Sequence, residues 1–374
     1  MSESRLRDIV QEILSPAGIT INGDKPWDIR IKDDRFYRRV MSDGSLGLGE
    51  AYMDGWWESE RLDDFFAKIL PTQPEDKIKK NWGLLLRIFG EVILNSGRKS
   101  QAFQIGERHY DKGNELFRAM LDKRMVYSCA YWKDATTLDE AQEAKLDLIC
   151  RKLGLKPGDR ILDIGCGWGG FAKYAAENYN VEVVGVTVSK EQASLGRELC
   201  KGFPVDIRLV DYRDMDEEFD HVVSVGMFEH VGYKNYRTYM GKAHACLKDG
   251  GLFLLHTIGR DDVSTVTVDQ WIGKYIFPNS LIPSMKQITA ATEGLFTVED
   301  VDNIGVDYDP TLMSWVDNFD SNWDKLKGFY DKRFYRMWKY YLLSCAGSFR
   351  SRYLQVWQFA LSKKGIPGCY NSVR

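Results

Sequence analysis

Two residues in this chain sit where their chemistry needs explaining. The stretch VVSVGMFEHVG, residues 222–232, is an apolar run that ends at Gly226 and then delivers Glu229 and His230 among Met227, Phe228 and Val231. A second run, LLHTIG, places His256 in the same kind of setting. A carboxyl in oily surroundings has its pKa raised toward the working pH, which general acid–base catalysis uses. A Glu after a strand also serves as a helix cap, and a buried His also serves as a hydrogen-bonded core residue. Adjacent side chains diverge, so His230 is assigned a structural role beside Glu229.

A third feature is LDIGCGWGG, residues 162–170. Gly165, Gly167 and Gly170 fit G-x-G-x-x-G, which marks a ligand lying against backbone at a helix N-terminus. A dinucleotide enzyme needs an acid for the ribose about 20 residues further on. This chain has Thr187 there, in VVGVTVSKEQ. Asp163 lies just ahead of the glycines, where it can orient a charged amino-acid tail. A ligand with an ammonium, a carboxylate and a nucleoside is implied, and S-adenosylmethionine has all three.

The elements that must position these residues alternate. From about residue 101, HYDKGNELFRAML and TLDEAQEAKLDLICRKLGL read as helices, the second closed by Pro157 and Gly158. Then come DRILDIGCG (strand), FAKYAAENY (helix), VEVVGVTV (strand), SKEQASLGRELCK (helix), VDIRLVDY (strand), DHVVSVG (strand), YKNYRTYMGKAHACLK (helix) and GLFLLHTIG (strand). FTVEDVDNIGV and YLQVWQFALSK read as two final strands, with helices at about 310–350 covering the pocket. The pattern is α/β, a doubly wound, mostly parallel seven-stranded sheet. In such sheets working groups gather beyond the carboxyl ends of strands, so Gly165, Glu229 and His256 should meet. Residues 1–95 read as a smaller α+β domain, with short strands across 28–40, glycine turns across 42–59, and the helix LDDFFAKIL ended by Pro71 and Pro74. Its expected role is lipid or dimer contact. The remainder, 96–374, is the catalytic domain. Within 75–100, Lys77, Lys79 and Lys80 precede Trp82, Leu84, Leu85, Leu86, Ile88 and Phe89. That suits either an interfacial helix on anionic lipid or a packed linker helix.

Taken in order, YSCAYW (127–132), LDIGCGWGG, VTVSKEQ, DYRDM (211–215), MFEHVG (227–232) and YLLSCAGSFR (341–350) resemble the cyclopropane-fatty-acyl-phospholipid synthase family of class I S-adenosylmethionine methyltransferases. The resemblance implies a cofactor site of Tyr127, Ser128, Leu162, Asp163, Ile164, Gly165, Cys166, Gly167, Trp168, Gly169, Gly170, Thr187, Val188, Ser189, Gln192, Tyr212 and Arg213. At the last pair the mycolic acid relatives read Trp-Glu.

The implied reaction adds a methylene across a cis double bond of an acyl chain. An alkene is a poor nucleophile, so proximity and exclusion of water carry much of the barrier. Methyl transfer leaves a carbocation, which aromatic faces stabilise, and a base must then take a proton so that the ring closes. By resemblance that base is a bicarbonate ion held by Cys129, Glu229, His256, the Ile258 backbone and Tyr308, with Glu229 raised in pKa. Cys345 is expected near the pocket, although the chemistry needs no thiolate. A homodimer and a phospholipid bilayer with unsaturated chains are the implied partners. The competing readings are a small-amine N-methyltransferase, a mycolic-type enzyme, and a lipid-binding membrane adaptor without turnover.

Composition fits these readings. The 374 residues carry a net charge of -3, which implies no nucleic acid partner. Aromatics make up 13%, a surplus that serves either a large core or a pocket for apolar or cationic ligands. The seven cysteines lack zinc-like spacing, so no metal site is expected. MSESRLRDIVQEIL is charged, and no apolar run is long enough to span a bilayer. The expectation is a reduced, cytoplasmic chain, peripheral on the inner membrane face.

Overall fold

The computed structural model describes residues 3–72, 113–261, 269–278 and 280–374. The cationic segment 75–100 and the 95/96 boundary lie outside them. The chain forms two compact units. One comprises 1–116, 268–278 and 312–353; the other comprises 117–267, 279–311 and 354–374.

In the first unit, helix Glu3–Leu14 is followed by β1 (Arg30–Ile31), helix Arg35–Met53, β2 (Trp57–Glu58) and helix Leu62–Ile69. β1 and β2 pair antiparallel. The expected strands across 28–40 are therefore corrected: only Arg30 and Ile31 are extended, and the chain turns helical at Arg35. The burial of Phe36, Tyr37 and Met41 follows helical rather than alternating spacing. Of the glycines read as turns, Gly55 is one, at φ +74°, while Gly44 and Gly49 have other duties. Gly44, at φ +56°, breaks the helix. A Cβ on Gly49 would lie 2.3 Å from the Trp271 ring, so this glycine admits an indole. Around Trp57, the rings of Phe65 and Tyr52 lie 5.3 and 5.4 Å away, and Tyr340 lies 4.5 Å from Trp271. Much of the aromatic surplus is thus the core of this unit, where each large buried ring is worth roughly 1.5–3 kcal/mol. Helix Lys332–Arg350 belongs to the same unit and joins it through Arg350, which pairs with Asp63 and Asp64.

The second unit holds the seven-stranded sheet. Its strands are β3 (Arg160–Ile164), β4 (Glu182–Thr187), β5 (Val205–Leu209), β6 (Phe219–Val225), β7 (Leu247–Gly259), β8 (Thr297–Asn303) and β9 (Gln355–Ser362). Their order is β5-β4-β3-β6-β7-β9-β8. The first five run parallel; β9 is antiparallel to both β7 and β8. This is the class I methyltransferase sheet, and every strand read from the sequence in this region is present. Order reverses at β3, so the crevice beyond β3 and β6 is where a ligand belongs. Helices Leu138–Leu153 and Gly170–Tyr179 cover one face through Leu146, Ile149, Phe171 and Ala175. Helices Tyr236–Cys246 and Met285–Thr292 cover the other through Tyr239, Met240 and Ile288. Thr137 and Glu140 form a capping box that fixes where the first of these starts. Among the described residues, no helix is long and apolar enough to cross a membrane.

Candidate active site

The site is built at the carboxyl ends of three adjacent parallel strands. β3 runs into Gly165, which takes φ +82°, and Gly167, which takes φ +55°. The Gly165 and Cys166 amides donate to the Val186 carbonyl at 2.9 and 3.1 Å, pinning the loop to β4. A Cβ on Gly165 would meet the Met227 side chain at 2.6 Å, whereas around Gly167 there is open space. The loop after β3 therefore touches the loop after β6 that carries Glu229. β7 completes the set: His256 is the register partner of Val225, and its carbonyl accepts from the Gly226 amide at 3.0 Å. Gly165, Glu229 and His256 do converge.

Glu229 is buried, and its Oε1 accepts from the Ile258 amide at 2.6 Å. Its Oε2 has no hydrogen-bond partner. Burial pushes its pKa up to about 7, against the Ile258 and Thr257 hydrogen bonds that favour the ionised form. His256 is also buried, with Nδ1 3.2 Å from Gln358 Nε2. Burial, helped by Lys145 and Lys152, pushes its pKa well below the usual imidazole value, so the ring is neutral. Leu281 N donates to the Glu229 carbonyl at 2.7 Å, and Tyr236 stacks on Phe228 at 4.2 Å, giving this edge an apolar wall.

Asp163, inside β3, is fully enclosed, with Oδ2 unpartnered. Burial raises its pKa to about 7, opposed by the nearby Lys145 ammonium. Lys145 is itself buried and donates to Ser128 Oγ at 3.0 Å; desolvation lowers its pKa to about 8. Gln142 holds the Ser128 carbonyl at 2.9 Å. Through these contacts helix Leu138–Leu153 fixes the segment Tyr127–Ser128–Cys129. The Tyr127 ring packs edge-on against Phe117 at 5.0 Å. Cys129 is buried, its Sγ 3.7 Å from the Ile304 carbonyl, and burial holds the thiol protonated. Tyr308 is buried and opens helix Tyr308–Leu326.

The rest of the expected cofactor set lies along the same edge. Thr187 Oγ1 accepts the Ser189 amide at 3.2 Å and donates to Gln192 Oε1 at 2.9 Å, while Ser189 caps helix Lys190–Leu199. Val188 is 73% exposed, an apolar side chain left open at the end of β4. Tyr212 packs edge-on against Tyr239 at 5.0 Å. Arg213 is spent on a two-pronged ion pair with Asp211 at 2.9 and 2.6 Å. Leu162 and Ile164 are buried in β3, Cys166 and Trp168 are buried in the loop, and Gly169 and Gly170 start helix Gly170–Tyr179. Cys345 belongs to the other unit, and burial pushes its pKa to about 12, so it is a thiol rather than a thiolate.

S-adenosylmethionine suits this set. The orphaned Asp163 oxygen asks for a cationic or hydrogen-bond-donating group, and the open backbone at Gly167 leaves room for one. The sequence reading missed Lys145, Gln142, Lys152, Asp302 and Gln358. A signal existed for the two lysines: 145 and 152 are seven apart on the apolar stripe of their helix, beside Leu138, Ala141, Leu146 and Ile149.

Comparison with known proteins fits this geometry. The family described as mycolic acid cyclopropane synthetase matches residues 97–359. The chain belongs to that family. It is 54% identical over 355 residues to the cyclopropane-fatty-acyl-phospholipid synthase of Escherichia coli (strain K12), covering 95% of this chain and 93% of that one. It is 34% identical to the tuberculostearic acid methyltransferase UfaA1 of Mycobacterium tuberculosis (strain ATCC 25618 / H37Rv), over 90% of this chain and 83% of that one. The crystal structure of mycolic acid cyclopropane synthase CmaA1 complexed with SAH and CTAB superposes with a TM-score of 0.65 at 34% identity, covering 71% of this chain and 99% of that one. The family expected from YSCAYW and MFEHVG is the family found. The protein is an S-adenosylmethionine-dependent methyltransferase.

Proposed function

We propose that this enzyme transfers a methylene group from S-adenosylmethionine to the cis double bond of unsaturated acyl chains in membrane phospholipids, forming a cyclopropane ring. The observation that carries this reading is the partnerless Glu229 Oε2, held buried beside the glycine loop. Ring closure requires that a proton leave the added methyl group, and this carboxyl is placed to hold or share it.

Asp163, the loop Leu162–Gly170, Thr187–Gln192, Tyr212 with Arg213, and Tyr127 with Ser128 would hold the cofactor. When bound, it supplies an electrophilic methyl group. Glu229, with a pKa near 7, holds or shares a proton at Oε2. The His256 ring and the Cys129 and Tyr308 side chains supply further polar edges, and the Ile258 N–H keeps Glu229 in place. Together they suit a small anion as proton acceptor, and bicarbonate is the candidate. Its charge would be favoured near a sulfonium and screened little in so dry a site. Phe228, Tyr236 and Met227 exclude water, which would otherwise capture the carbocation as an alcohol.

The enzyme would act as a homodimer on the cytoplasmic face of the bilayer. The test is to mix it with unsaturated phospholipid vesicles and labelled S-adenosylmethionine and weigh the acyl chains. A gain of one methylene mass on the acyl chain, about 14 daltons, is expected. Label on a soluble amine instead would favour an N-methyltransferase, and no transfer at all a lipid-binding adaptor.

A further inference from the structure

Behind His256 lies a row of polar side chains that the reaction as drawn does not use. β7, β9 and β8 bring His256, Gln358 and Asp302 into register on neighbouring strands. Lys152, on helix Leu138–Leu153, reaches this row. Its Nζ donates to Gln358 Oε1 at 2.8 Å and to Asp302 Oδ2 at 2.6 Å. His256, Gln358 and Lys152 are each at most 2% exposed, and Asp302 is 9% exposed. A buried lysine at this depth has a desolvation cost that packing alone does not require.

The hydrogen-bond directions in this row are forced. An ammonium has donors only, so the atom of Gln358 facing Lys152 must be the carbonyl oxygen. The amide nitrogen must then face His256, where Nδ1 lies 3.2 Å away. An amide NH2 only donates, so Nδ1 must accept. The one ring proton is left on Nε2.

We propose that Asp302, Lys152 and Gln358 act as a positioning relay that locks His256 in the Nε2–H tautomer, making it a fixed hydrogen-bond donor to the proton acceptor and not a base. The relay does not touch the reacting atoms. Asp302 holds the ammonium, the ammonium orients the amide, and the amide orients the imidazole. This inference rests on the reading above that the His256 ring faces an anion, but the tautomer itself can be measured without turnover.

The experiment uses full-length enzyme labelled with 15N-histidine, with His256 assigned by comparison with His256→Asn. At pH 8.5, where the ring is neutral, long-range proton–nitrogen spectra should show the proton on Nε2. Gln358→Glu keeps the volume and the Lys152 contact but turns the Nδ1 partner into an acceptor. The proton should move to Nδ1, and kcat should fall by about 10²-fold, the size expected when an outer-shell partner of a histidine is lost, with S-adenosylmethionine affinity within about threefold. Lys152→Met frees the amide to rotate, and both tautomers should appear. If that variant does not fold, Lys152→Met/Asp302→Asn removes both charges together and should give the same mixture. A proton on Nδ1 in the wild type overturns the proposal, as does a Gln358→Glu enzyme that keeps either its tautomer or its rate. Failure of the functional reading looks different: no cyclopropane from the wild type, with the tautomer unchanged.

Discussion

In the first unit Glu50 is buried against two cations and a phenol; in the second Glu229 is buried with neutral donors alone. Glu50 receives Lys274 Nζ at 2.5 Å, Tyr275 Oη at 2.7 Å and the Arg39 guanidinium. Burial alone would raise its pKa, but the hydrogen bonds from Lys274, Tyr275 and Arg39 outweigh it and hold the carboxyl below its usual value. Glu229 has only the uncharged Ile258 and Thr257 donors, its Oε2 meets no partner, and burial wins. The same residue type in two cores is thus held as an anion in one and favoured in its neutral form in the other. The difference lies in the charge of the donors that surround it.

The largest expected effect breaks this comparison at its active end. Glu229→Gln should lower kcat by about 10³-fold, within the usual range for a lost acid–base group, with cofactor binding retained. Its stability should move the opposite way. The folded pKa of about 7 lies above the ordinary 4.5, so the stability linked to this group is full below pH 4.5. It is lost as pH rises to about 7. Above that, the wild type carries a penalty of roughly 3 kcal/mol. Thermal melts should therefore find Glu229→Gln more stable than wild type at pH 8 and equal to it at pH 4.5. Equal stability at both would mean that the carboxyl is not held in its neutral form.

Glu50→Gln tests the other end. It strands Arg39 and Lys274 and should cost about 3 kcal/mol, read as a shifted urea midpoint at unchanged kcat per folded molecule. Because the folded pKa of Glu50 is lowered, its contribution is present above the unfolded value and disappears as pH falls through the folded one. The two glutamates should therefore give pH–stability slopes of opposite sign.

The sequence made one of these sites legible and hid the other. β3, β6 and β7 are buried on both faces, so LDIG, VVSV and LLHTIG are near-continuous apolar runs, and a lone Glu or His at their ends stands out. Helix Arg35–Met53 had no such outline. Its glycines look like turns, and only the Trp271 ring, 222 positions after Gly49, explains why a side chain is excluded there. The relay behind His256 was hidden for the same reason. Lys152, Gln358 and Asp302 meet across 150 and 206 positions of chain, and side-chain pairing at that range leaves no local spacing to read.

Asp163 extends the comparison within the second unit, since it too has a bare oxygen and a pKa raised to about 7 by burial. Its expected partner is the cofactor and not a proton acceptor. Asp163→Asn should weaken S-adenosylmethionine binding by roughly 30-fold, the size of one charge-assisted hydrogen bond, with little change in kcat at saturation. Wild-type affinity should fall as pH drops below about 7, because binding a cation requires the ionised carboxyl. Calorimetry in buffers of different ionisation enthalpy should detect the proton released on binding at pH 6. An affinity independent of pH from 6 to 8 would remove Asp163 from the cofactor site.

Cys345 gives the smallest effect and separates position from reactivity. The motif YLLSCAGSFR singles it out, yet it lies on helix Lys332–Arg350 of the first unit. Burial, with Asp269 nearby, raises its pKa to about 12. A nucleophilic cysteine needs the reverse, an electropositive and partly open setting that favours thiolate. Cys345→Ala should leave kcat within about threefold of wild type and remove about 1 kcal/mol of stability, the order expected for a small cavity. Cys345→Ser should be the worse of the two in thermal melts, because a hydroxyl needs partners that a thiol does without. A loss of 10²-fold or more in kcat for the alanine variant, with its melting curve intact, would give this thiol a chemical role that its surroundings argue against.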